Sequence, residues 1–240
     1  MFHLKTKTMK TSLFFAAGML IAAFAFGQKN DLQEVKVTPP SFHPNFIPTL
    51  YEYLEAGIEY PAVAKKSGWQ GTVVIQFVVT AEGNVTDFYL VNSVSKEIDN
   101  EVIRVLETTN GRWNPGTADG SPVAMEKEIS VAFKISPNAD FVALAKDYIK
   151  KANEYIFVKN QPQKAIKYLD KGIMLLPNEE CLLASRSLCN YEIGNMESAQ
   201  RDWQRIKYLT EKNESETNFK LADNYEELSG YKEMLTELAK

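Results

Sequence analysis

The chain has 240 residues, 45% hydrophobic and 24% charged, which is ordinary for a soluble globular protein and long enough for one large or two small domains. Its formal net charge is −4, and −7 once the first 27 residues and their three lysines are set aside. That balance lacks the positive footprint needed for nucleic acid or anionic lipid surfaces, so neither is expected as a partner.

The N-terminus has the layout of a secretory signal. Lys5, Lys7 and Lys10 are followed by a 14-residue apolar run, Leu13–Phe26, and Ala25-Phe26-Gly27 places small residues ahead of Gln28. As a helix this run spans about 21 Å, short of a hydrocarbon core of roughly 30 Å. The expectation is a signal peptide over residues 1–27, cut before Gln28, with an uncleaved anchor as the alternative. In that alternative the N-terminal segment is the one point of membrane contact.

Residues 28–50 carry Pro39, Pro40, Pro44 and Pro48 among few aliphatics and read as an extended linker. Leu50 to Leu54 suggests a helix start just beyond it. Pro61 suits the first turn of a short helix, Ala62–Lys66, ending near Gly68. Gly71–Thr80 alternates with period two, and both of its faces are rather apolar, which predicts a central strand. Glu82-Gly83-Asn84 forms a hairpin turn, and Val85–Asn92 returns antiparallel. Asp99 is placed as the cap of a helix to Thr108, with Val102, Val105 and Leu106 as its apolar stripe. Gly111–Pro122, with three Gly and two Pro, reads as a loop. A third strand, Met125–Ile135, closes the region. The order helix–strand–strand–helix–strand implies an α+β layer with two helices on one face of a small antiparallel sheet.

These residues resemble the C-terminal domain of the TonB energy-transducer family. The resemblance rests on Tyr60-Pro61 with Ala64, on Gly71, Val73, Phe77 and Val79 along one strand, and on the Gly83/Val85 hairpin. It continues through Ile98-Asp99, Trp113 with Pro115, Gly120 with Pro122-Val123, and Phe133. It implies a TonB C-terminal-like domain over residues 51–137, in the periplasm. It also implies protein partners, outer-membrane transporters in particular, taken up by strand addition. An uncleaved leader would make the protein an inner-membrane-anchored transducer facing the periplasm. The leader is shorter than a transducer's membrane helix, and residues 28–50 are shorter than its stalk, which favours binding without force.

After Pro137 the period becomes helical. Ala165, Leu169, Gly172 and Pro177 are echoed by Ala199 and Trp203, each 34 residues after its counterpart, and Asn190-Tyr191-Glu192 recurs as Asn224-Tyr225-Glu226. This spacing resembles tetratricopeptide repeats. Ile206 and Glu211 depart from the pattern, and a simple helical bundle stays open. The expected second domain is an all-α repeat over residues 138–240, with Tyr231–Lys240 as a closing helix.

No catalytic chemistry is legible. His3 and His43 have no metal-ligand neighbours, and there is neither a nucleophile pair nor a phosphate loop. The expectation is a protein without metal or cofactor and not an enzyme, an envelope hydrolase being the remote alternative. Cys181 and Cys189 lie eight residues apart, about 12 Å along one helix, too far for a disulfide within it. They read as two buried thiols, with an intermolecular or redox role as the alternative. The last strand is the candidate contact, because a last strand often sits at a sheet edge with unpaired N–H and C=O groups. The candidate partner-binding set is Tyr60, Pro61, Trp113, Glu128, Ile129, Ser130, Val131, Ala132 and Phe133. Two alternatives stay open: Trp113 and Tyr60-Pro61 as packing anchors, and Lys127, Glu128 and Lys134 as charges that guard an edge. The oligomeric state is undetermined.

Overall fold

The computed structural model describes residues 35–43 and 49–212, with Met234 and Thr236. The leader, Asn224-Tyr225-Glu226 and most of Tyr231–Lys240 lie outside the described residues. From Val35 onward the described residues belong to one compact unit.

The central sheet has strand order β4-β3-β8, where β3 is Gly71–Val79, β4 is Val85–Asn92 and β8 is Met125–Phe133. Both pairings are antiparallel. The apolar character of both faces of β3 predicts its central position, and that is where it sits. Val73, Ile75, Phe77 and Val79 point to one face and are buried there with Ile129 and Phe133. Against them pack α1 (Leu50–Gly57), α2 (Ala62–Lys66) and α3 (Lys96–Glu107) through Leu54, Ala64, Ile98, Val102, Val105 and Leu106. Each fully buried large aliphatic or aromatic side chain contributes roughly 1.5–3 kcal/mol over an exposed one. The expected layer is present, with α1 as a third helix on it.

The β3–β4 turn is the one expected. Thr80 and Asn84 close it through Thr80 N–H to the Asn84 carbonyl at 2.8 Å, and Gly83 sits at φ +80. A Cβ at Gly83 would also run into the carbonyl oxygen of Trp113. Gly83→Ala is therefore expected to destabilise the fold by more than about 1 kcal/mol, read as a lower urea midpoint with an unchanged slope.

Four local expectations are corrected. Pro61 is the N-cap of α2 rather than its first helical residue. Ser95, not Asp99, is the N-cap of α3. Asp99 instead lies inside the first turn and reaches back, its carboxylate accepting from Val94 N–H at 3.1 Å and from the Ser93 hydroxyl. The segment read as a loop carries β5 (Trp113–Asn114), β6 (Gly116–Ala118) and β7 (Ser121–Val123). Asp119 and Gly120, both at positive φ, make the tight turn that pairs β6 with β7. The end of the supposed linker is folded onto these strands: β1 (Val37–Thr38) pairs with β6, and β2 (Ser41–Phe42) with β5.

Beyond Pro137 the described chain is helical: α4 (Phe141–Asn153), a π-helical turn (Glu154–Val158), α5 (Pro162–Leu175), α6 (Glu180–Glu192) and α7 (Met196–Lys212). Asp140 caps α4 by accepting from Val142 and Ala143 N–H, both at 3.0 Å. Short connections fold each helix back on its predecessor. Ala165, Leu169, Ile173, Leu182, Leu188, Ile206 and Leu209 form their shared core. Gly172 lets Leu182 approach, since a Cβ there would lie 2.9 Å from its Cδ2. Arg186 on α6 ties three helices together. It donates to both carboxylate oxygens of Asp202 on α7, at 2.7 and 2.9 Å, and to Asp170 on α5 at 2.8 Å. Burial works against the Arg186 charge, but its bonds to Asp202 and Asp170 outweigh that and raise its pKa. Cys181 and Cys189 are buried thiols outside any disulfide, as expected, and burial, with some help from the Glu192 charge, pushes the Cys189 thiol up to about 12.

A candidate partner-binding edge

β8 pairs with β3 along its whole length and has no strand on its other side among the described residues. Which of its backbone groups point outward follows from the pleat. The Thr72 carbonyl accepts from Asn92 Nδ2 at 2.6 Å, toward β4. Its odd-numbered neighbours on β3 therefore face β8. Their partners, Val131 opposite Val73 and Ile129 opposite Ile75, face back into the ladder. Ile135 N–H, bonded to Gln70 at 3.4 Å, points the same way. Glu128, Ser130 and Ala132 are left with their N–H and C=O groups aimed outward, which is what a strand edge needs to accept another strand.

The side chains divide differently. Ile129 and Phe133 are buried in the core with α1–α3, and Val131 packs partly against it. Tyr60 lies at the Phe133 end of the strand, edge-on to that ring at a centroid distance of 5.5 Å. Its hydroxyl donates to the Trp69 carbonyl, and burial raises its pKa. Pro61 follows as the cap of α2. Tyr60 and Pro61 thus fix the chain where β8 ends. Trp113 is buried between Phe42 and Phe77, at centroid distances of 5.3 and 5.6 Å, and its Nε1–H donates to Thr109 Oγ1 at 2.9 Å. Those contacts make it a packing anchor, with its edge reaching the cleft beside Ile129.

Glu128 is committed inside the molecule. Its two oxygens accept from Arg205 on α7, both at 2.7 Å, and Gln76 Nε2 donates to it at 2.9 Å. Arg205 also donates to Asn178 at 2.6 Å and lies over the Tyr208 ring. The Thr72 hydroxyl donates to the Leu175 carbonyl at 2.7 Å, and a Cβ at Gly71 would lie 2.6 Å from the Met174 carbonyl oxygen. The sheet face away from α1–α3 thus packs on the helical segment around Gly71, Thr72 and Glu128, while Tyr89 and Ala132 on the same face stay exposed. Glu128 contributes its outward backbone to the edge, while its side chain is held by Arg205. Sequence reasoning did not find Arg205, Asn178 or Gln76. Gln76 stood on a known strand, but nothing local ties residue 205 to residue 128.

Residues 56–135 match the family described as Gram-negative bacterial TonB protein C-terminal. This part of the chain is a TonB C-terminal-like domain. The match leaves the helical segment outside it. Two solution structures of Helicobacter pylori TonB-CTD are similar to part of this chain. The shorter is 18% identical over 37% of this chain and 90% of that one, with a TM-score of 0.28. The longer is 17% identical over 37% and 78%, with a TM-score of 0.31. No curated protein matches the chain.

Proposed function

We propose that this chain is an exported, non-enzymatic interaction protein of the envelope, in which the TonB-like domain receives an extended segment of a partner along β8. The observation that carries this reading is the outer side of β8, unpaired among the described residues, in a domain of TonB type. TonB C-terminal domains are binding domains, with outer-membrane transporters among their partners, so a role in TonB-type transport at the outer membrane follows. The contact set is the edge of residues 128–133, with Tyr60 and Pro61 fixing its end and Trp113 its floor.

A periplasmic location fits a domain of this type and the leader over residues 1–27. No helix among the described residues is long and apolar enough to cross a membrane. The intact mass of protein taken from cells decides the leader: a mature chain starting at Gln28 supports release, and an uncleaved chain supports an anchored transducer. For the helical segment we propose tetratricopeptide-like repeats. In support, α5 and α7 begin 34 residues apart, at Pro162 and Met196, and Ala165, Leu169, Gly172 and Ala199 are all buried.

Ala132→Pro tests the edge. Ala132 is exposed and its N–H points away from β3, so proline there removes one outward donor and leaves the inner ladder intact. Affinity for outer-membrane partners is expected to fall roughly tenfold with an unchanged urea midpoint. Unchanged affinity in the folded variant rejects strand addition at β8.

A further inference from the structure

Two clefts follow one another along the outer side of β8. The first, about 570 Å³, lies between Lys127–Ser130 and a wall that includes Phe42, Leu50 and Tyr51, with Asn178 at its rim. The second, about 540 Å³, lies between Ser130–Lys134 and a wall that includes Phe141, Val142 and Leu176. Ser130 lines both, so they form one track along the edge. The wall of the second cleft belongs to α4 and the end of α5, outside the segment of TonB type.

The register decides how an added strand would meet these walls. Lys127 and Ile129 lie on the face of α1–α3, and Ser130 and Ala132 on the opposite face, toward the helical segment. A strand laid on β8 alternates in the same way. Its side chains would fall in turn on the Phe42/Leu50/Tyr51 wall and on the Phe141/Val142/Leu176 wall, which offer apolar side chains beside polar ones, Ser41 and Asn178 in the first cleft and Lys134, Asn138 and Asp140 in the second. Lys127 is half-buried in the first cleft and has no carboxylate partner among the described residues. An ammonium beside apolar side chains gains from a bound carboxylate more than it would in open water.

We infer that the helical segment is the second wall of the docking groove. The ligand is then an extended segment of a partner protein, apolar on both of its faces, with one carboxylate against Lys127. This rests on the reading of β8 as the docking edge and adds to it a composite site that the TonB-like domain alone does not contain.

The test uses the full chain and a labelled peptide, Ser-Val-Ile-Glu-Val-Ile-Val-Ser, with a counterpart carrying Gln for Glu, read by fluorescence anisotropy. Val142 is half-exposed in the first turn of α4, where a carboxylate suits the helix terminus, so Val142→Glu should fold. It is expected to weaken the Glu peptide by roughly fivefold, with Val142→Ser weakening it less. Lys127→Gln is expected to remove the preference for the Glu peptide over the Gln one. If Ala132→Pro weakens binding and neither Val142 variant does, the edge stands and the helical wall is overturned. Equal affinity of the wild-type chain for both peptides overturns the carboxylate assignment. No binding of either peptide overturns the ligand class, and binding unaffected by Ala132→Pro overturns the edge itself.

Discussion

Arg205→Ala is expected to destabilise the folded chain by roughly 3–5 kcal/mol. The reason is the carboxylate it leaves behind. Glu128 has a side chain 7% exposed and Arg205 one 11% exposed, so the pair is shielded from water. Without the guanidinium, Glu128 keeps one donor, Gln76, for a charge that has lost its counter-ion. The intact pair itself adds little net stability, since desolvation cancels much of the attraction and Arg205 Nε has no acceptor. Replacing both partners by methionine should therefore recover most of what Arg205→Ala loses. The urea midpoints of the single and double variants check this. A single variant within about 1 kcal/mol of wild type would mean that the ion pair is open to solvent.

Trp113→Ala is expected to cost roughly 3–5 kcal/mol, as large-to-small exchanges of buried aromatics do. The indole fills the space between Phe42 of the N-terminal arm and Phe77 of β3. Its loss also takes away the indole N–H that Thr109 Oγ1 accepts, leaving that hydroxyl only its bond to the Leu106 carbonyl. Trp113→Phe should retain most of the stability. Thermal unfolding distinguishes this role from a partner contact. An anchor loses stability in the free protein, whereas a contact residue leaves the free protein unchanged and weakens binding alone.

What was legible beforehand was whatever the chain encodes locally. The alternation of β3, the Gly83 turn and the period of β8 each depend on residues close in sequence, and each is where the spacing puts it. The helix stripe of Val102, Val105 and Leu106 is buried on the same grounds. Ser95 and Asp99 show where local reading slips. Both residue types cap helices, and only the structure shows which takes the terminus and which reaches back from inside. Asp119-Gly120 was a readable hairpin signal hidden in a segment dense in Gly and Pro. Contacts between remote segments were not legible. The bonds between Arg205 and Glu128 span 77 residues, and no periodicity carries such a pair. The arm around Phe42 looked like linker because prolines dominate its composition, yet its short strands find partners in β5 and β6. For the candidate edge, the strand was legible and the helical cover of its second face was not.

The docking of a partner strand on β8 is tested most directly by amide hydrogen exchange of the folded chain, with and without periplasmic segments of outer-membrane transporters. The Ser130 and Ala132 amides face outward, while those of Ile129 and Val131 lie in the ladder with β3. Strand addition predicts that Ser130 and Ala132 exchange readily in the free protein and become protected on binding, with Ile129 and Val131 protected throughout. A bound segment that leaves Ser130 and Ala132 exchanging as before would contradict it.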